Sequence, residues 1–191
     1  MHRLDVHQPL TTSLLHFGQG SRISQTFYSH RDNLDIVSIC LRNPDRYQIP
    51  LQFVLSEGKQ VVRSLDFNSA NIDFQDCTKF QFPKVEDSAN KTYQVEIISP
   101  KSTDPLSISP LILDVEAHTG TDYLGGVASL NDKDTGLDLH FKTFYHQSIQ
   151  DTLVESLTQI PPRILADWGF FVFWGVLVGL ILARLLKRNS K

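Results

Sequence analysis

Leu34-Asp-Ile-Val-Ser-Ile-Cys-Leu41 is the stretch whose reading decides the fold. In an extended chain Val37, Ile39 and Leu41 point one way, and Ile36, Ser38 and Cys40 point the other. Asn43-Pro44-Asp45 then turns the chain. The run therefore predicts a β-strand ended by a turn.

The same alternation spreads outward on both sides. Ile23–Tyr28 begins the first β-like run. Downstream, Leu51, Phe53 and Leu55 alternate with Gln52 and Ser56, and Glu57-Gly58-Lys59 makes a hairpin-like turn. Val61, Leu65 and Phe67 return, with Arg63 interrupting their face. Phe80 and Phe82 precede Pro83, which should end that strand or mark a sheet edge. Tyr93, Val95 and Ile97 form another run, as do Leu111, Leu113 and Val115. Leu137, Leu139 and Phe141 follow, and Phe144-Tyr145 closes the series. About eight short strands at regular spacing, with no useful helical period among them, predict an antiparallel β-sandwich over residues 21–145. Eight strands suit a jelly roll, although the strand order stays open. Ile39, Phe53, Val95 and Leu113 should lie between the sheets. Residues 1–20, punctuated by Pro9 and by Gly18-Gln-Gly20, read as an irregular N-terminal arm.

The feature order resembles the galactose-binding-like jelly rolls of extracytoplasmic and carbohydrate-binding modules. Four segments carry the resemblance: Gln25-Thr26-Phe27, Leu34–Leu41, Phe80-Gln-Phe-Pro83 with Asp87-Ser88, and Gly136–Tyr145. The resemblance implies a jelly roll with ligand aromatics in the loops at one end. Those loops cannot be placed by pattern, so no binding residue is carried over.

The period changes beyond the sandwich. In the juxtamembrane segment 146–167, Ile149, Leu153, Val154, Leu157 and Ile160 share one helical face before Pro161-Pro162. Residues 168–187 then read as a transmembrane helix, since roughly 19 residues at about 1.5 Å each span a bilayer core. Trp168 marks one interface, and Arg184, Lys187 and Arg188 mark the other, followed by a basic tail at 188–191. The positive flank places the C-terminus in the cytoplasm and the sandwich outside, in a single-pass cell-membrane protein. Residues 1–20 hold no apolar core of signal-peptide length. Export driven by the last helix, membership of a longer membrane protein, and a cytosolic tail-anchored domain all stay open.

Composition limits the function classes. A net charge of −3 argues against nucleic acid as a partner. Cys40 and Cys77 are either buried thiols or, in an exported domain, an inter-strand disulfide. Neither CxxC, HExxH nor GxSxG occurs, so no enzyme activity, cofactor or metal centre is expected. His30-Arg31-Asp32-Asn33 reads as a solvated loop. Asn131-Asp132-Lys133-Asp134 offers oxygens to calcium but lacks the glycine and distal glutamate of an EF-hand. Asn90-Lys91-Thr92 matches a glycosylation acceptor. Gly175 and Gly179 form a GxxxG, which suits a helix–helix contact with another transmembrane subunit or a second copy. The expected function is a non-catalytic accessory subunit docking on a larger membrane complex. The alternatives are a membrane-anchored glycan- or envelope-binding module, and the C-terminal part of a longer membrane enzyme such as a glycosyltransferase.

Overall fold

The computed structural model describes residues 1–72, 76–101, 112–119, 123–149, 152, 169 and 171–179. Among them the chain forms two units, Met1–Gln147 and Ser148–Lys191. The first is all-β and antiparallel. Its strands are β1 (His2–Gln8), β2 (Ser13–Gly18), β3 (Arg22–Ser29), β4 (Leu34–Ile39), β5 (Leu41–Arg42), β6 (Pro50–Glu57) and β7 (Gln60–Asn68). After a single 3-10 turn at Ser69–Asn71 come β8 (Thr78–Val85), β9 (Lys91–Ile98), β10 (Ile112–Thr119), β11 (Ala128–Leu130), β12 (Lys133–Asp134), β13 (Leu137–Leu139) and β14 (Phe141–His146).

Three sheets result. A front sheet runs β1-β14-β4-β8, and a back sheet runs β12-β11-β3-β9-β6-β7. A small corner sheet runs β13-β10-β2, with β5 also paired to β10. Taken in chain order, β1, β3, β4, β6, β7, β8, β9 and β14 are the eight long strands shared by the front and back sheets. In that count the front sheet reads first, eighth, third, sixth, and the back sheet reads second, seventh, fourth, fifth.

Front and back sheets bury their apolar sides against each other in a β-sandwich-like core. Phe53 of β6 stacks on Phe80 of β8 with ring centroids 4.4 Å apart, and Phe27 of β3 meets Phe141 of β14 at 5.9 Å. Ile39, Phe53, Val95 and Leu113 are each no more than 1% exposed, as the alternation requires. Pro83 lies on β8, an edge strand of the front sheet, where among the described residues one side has no partner strand needing its missing N–H. The β6–β7 hairpin turns at Gly58, whose φ of 57° is costly for any residue with a Cβ. At Gly126 a Cβ would collide with the backbone of Thr26, whose N–H donates to the Val127 carbonyl at 3.1 Å.

The N-terminal arm is a correction. Residues 1–20 are expected to be irregular, yet they supply β1 and β2. β1 pairs with β14 and β2 with β10. Both are edge strands with few fully buried side chains, so their alternation is weak. Partners far off in the chain, such as His146 for His2 and Leu113 for Phe17, supply the hydrogen bonds that fix them.

In the second unit, residues 171–179 are helical, and Thr152 N donates to the Ser148 carbonyl at 3.1 Å. Among the described residues no helix is long and apolar enough to cross a membrane. Most of the amphipathic segment and the remainder of 168–187 lie outside the described residues.

Candidate functional site

Two strands bend from the front sheet into the corner sheet. β4 passes to β5 at Cys40, and β13 passes to β14 at His140. Cys40 N donates to the His140 carbonyl at 3.1 Å, His140 N to the Glu116 carbonyl at 2.8 Å, and Glu116 N to the Cys40 carbonyl at 2.9 Å. This closed ring of backbone bonds sets the side chains of Cys40, Glu116 and His140 together. Cys77, just ahead of β8, forms a disulfide with Cys40. The two cysteines are thus a cross-link, one of the two states that the sequence leaves open.

Glu116 sits at the centre of this corner and is 8% exposed. One carboxylate oxygen accepts from Arg42 Nε at 2.7 Å and from a second guanidinium nitrogen. The other accepts from Thr11 Oγ1 at 2.9 Å and lies 2.9 Å from His140 Nδ1. Burial pushes the Glu116 carboxyl up. The bonds from His140, Arg42 and Thr11 and the Arg42 charge outweigh burial and hold it below its usual value. Burial, with Lys142 and His140 nearby, lowers the neighbouring His7. Asp76, Arg42 and the disulfide line a cavity of about 120 Å³ here. The sulfurs and His140 nitrogen lie within 4.8 Å of one another. Disulfide sulfurs are not thiolates, however, so in the oxidised protein this set is a poor metal cage and offers no nucleophile. The cluster braces the corner mechanically.

A second cluster lies on the front sheet. His2 of β1 pairs in register with His146 of β14, their rings edge to face with centroids 5.6 Å apart. Asp35 of β4 is beside them, with Oδ2 2.9 Å from His2 Nδ1 and 3.7 Å from His146 Nδ1. β4 carries a bulge here. Leu34 and Ile36 oppose consecutive residues of β14, Tyr145 and Phe144, leaving Asp35 as the extra residue. Leu34 and Val37, three apart rather than two, both reach the core.

A third feature is a cavity of about 290 Å³ lined by Tyr123, Leu124, Val127, Asp134 and Asp138 among others. The Tyr123 phenol oxygen accepts from Tyr28 N at 3.0 Å, and its ring stands edge-on to Phe141 at 5.4 Å. Burial pushes its phenol up, against the Tyr28 hydrogen bond. Asp138 is buried, and Gln25 Nε2 approaches its Oδ1 at 3.5 Å. The surface offers an apolar wall with the exposed Asp134 at its edge.

The residues singled out by sequence fall as follows. Gly175 and Gly179 lie in the helical stretch 171–179, exposed, with nothing within 4 Å of an added Cβ. Trp168, Arg184, Lys187 and Arg188 lie outside the described residues. Asn131 and Asp132 both take positive φ, 52° and 65°, and turn β11 into β12. Asn131 Oδ1 accepts from Arg22 N at 2.9 Å, and Asp132 pairs with the Arg22 side chain. The oxygens offered to calcium therefore already serve a hairpin. In the His30–Asn33 loop, Asp32 Oδ1 accepts from Ala89 N at 2.9 Å. Asn90 is an exposed turn residue at φ 60°, and its side chain accepts from Tyr28 Oη at 3.2 Å.

Glu116, His140, His2, Asp35, His146 and Tyr123 belong to no sequence motif that marks them as site residues. The one local signal is Asp35, a carboxylate inside the apolar run Leu34–Leu41. Neither the protein-family models nor the curated proteins compared with this chain give a match.

Proposed function

We propose that the chain is a membrane-tethered, extracytoplasmic jelly roll that serves as a non-catalytic docking module within a larger membrane assembly. The Cys40–Cys77 disulfide is the observation that carries this reading, because such cross-links persist in oxidising compartments. It agrees with the positive flank at Arg184, Lys187, Arg188 and Lys191, which favours a cytoplasmic tail. The jelly-roll identity is supported by the interleaved strand order of the front and back sheets. The corner cluster supports a bracing role over a catalytic one, since its carboxylate and both sulfurs are already bonded within the protein.

Topology and redox state test the reading together. Protease added to spheroplasts should digest the sandwich and spare a C-terminal tag. Trapping free thiols with a maleimide in intact cells should leave Cys40 and Cys77 unlabelled until reductant is added. A protected sandwich with two labelled thiols overturns the proposal.

The cavity beside Tyr123 favours one second reading, a glycan-binding module. An aromatic ring, an apolar wall and the Asp134 carboxylate at its edge are the groups that hold a sugar's faces and hydroxyls. A glycan array probed with wild type and with Leu124→Asp tests it. Glycan binding lost in that variant supports the second reading, and no binding by wild type removes it.

A further inference from the structure

We infer that His2, Asp35 and His146 form a binding site for a divalent transition-metal ion of the zinc class. Three neighbouring strands of one sheet, β1, β14 and β4, each contribute one ligand. The donor atoms of the three side chains all lie within 4.8 Å of one another. Two imidazoles and one carboxylate make a donor set that suits zinc and its neighbours better than calcium or magnesium, which take all-oxygen shells.

The spacing fits. Ligand bonds of about 2.0–2.1 Å in a tetrahedral shell put donor atoms about 3.3 Å apart. The two separations from Asp35 Oδ2 to the imidazole nitrogens, 2.9 and 3.7 Å, bracket that value. Both side chains are close to half exposed, 41% and 48%, so an ion can reach them and one coordination position stays open to solvent.

Asp35 supplies the independent observation. Its side chain is only 7% exposed, yet among the described residues Oδ1 has no hydrogen-bond partner. A buried carboxylate oxygen left unpaired is costly, and a cation bound to the same carboxylate offsets that cost. The bulge points the same way. Within an otherwise regular strand, it turns this one acidic side chain out of the core alternation to the place where the two histidines meet. The site would clip the N-terminal strand to β14 and β4, and it stands independently of the docking proposal.

The test uses the full chain in detergent, purified without a polyhistidine tag. Co²⁺ is the spectroscopic probe, and Zn²⁺ is the competitor. Wild type should bind one Co²⁺ with the intense visible bands of a tetrahedral site, and Zn²⁺ should displace it and raise the melting temperature. His2→Gln and Asp35→Asn should each weaken binding at least about tenfold. His16→Gln, at a separate His–Asp pair on β2 and β10, should bind as wild type does. Asp35→Asn alters a buried position, so His2→Gln on the exposed edge strand keeps the test decisive even where the first variant folds poorly. No Co²⁺ binding by wild type, equal binding by His2→Gln, or loss of binding only in His16→Gln would each overturn the assignment.

Discussion

Removing the Cys40–Cys77 cross-link is the perturbation whose size follows most directly from the structure. The bond closes a loop with a sequence separation of 37. Chain-entropy arithmetic gives about 13 cal/mol/K for such a loop, or about 3.8 kcal/mol at 25 °C. Unfolding a unit the size of Met1–Gln147 releases about 0.3 kcal/mol/K. The double substitution Cys40→Ala with Cys77→Ala should therefore lower Tm by about 12 °C. The usual spread of native disulfides, about 2–5 kcal/mol, sets limits of about 6 and 16 °C. Calorimetry of the full chain in detergent reads the shift, with reductant added to wild type as a second route to the same state. Glu116→Gln serves as a control, since it disturbs the corner and leaves the cross-link intact. Wild type and double variant melting within about 3 °C of each other, or free thiols titrating in denatured, unreduced wild type, would refute the reasoning.

Acid stability should depend on Glu116. Its carboxyl is held below the ordinary value of 4.5, so its contribution is present above that pH and is lost as pH falls through the lower folded-state value. Glu116→Gln should flatten the fall in Tm on the acid side of pH 4.5, and parallel Tm curves for variant and wild type would contradict this. Ile39→Asp places an unpaired charge where the side chain is 1% exposed, and it should cost several kcal/mol of a total near 5–15. A variant with wild-type urea unfolding would show the strand faces to be misassigned. Gly175→Ile with Gly179→Ile should weaken retention of a partner helix or second copy after detergent extraction, while Leu180→Ile should not. Equal retention would mark both glycines as ordinary lipid-facing positions.

The central strands were legible because their pattern is local. Val37 and Ile39, Phe53 and Leu55, and Val95 and Ile97 each announce a buried face within a few residues, and all are buried. β1 and β2 were not legible, because an edge strand with exposed Leu4 and Leu14 shows little alternation. Their hydrogen bonds come from β14 and β10, and no window of sequence contains both partners. The same reason hides the sites. His2 and His146 stand at opposite ends of the sandwich sequence and meet only through the β1–β14 register. The disulfide was a choice between two states that residue spacing cannot separate. The bulge at Asp35 has no glycine or proline to mark it, so that aspartate reads as an interruption of a strand face.

The position of β14 also has a mechanical consequence. This last strand leads covalently into residue 148, and it lies between β1 and β4 with hydrogen bonds on both sides. A pull on the downstream chain, resisted by something gripping the sandwich elsewhere, acts along β14. The inter-strand bonds run perpendicular to that direction, so two ladders share the load in shear at once. Pulling Met1 and Gln147 apart acts differently. Those ends are hydrogen-bonded neighbours, with Met1 N 3.2 Å from the Gln147 carbonyl, and the force would peel β1 away one bond at a time. The sandwich is therefore built to bear tension through its downstream connection and to yield at its upstream end.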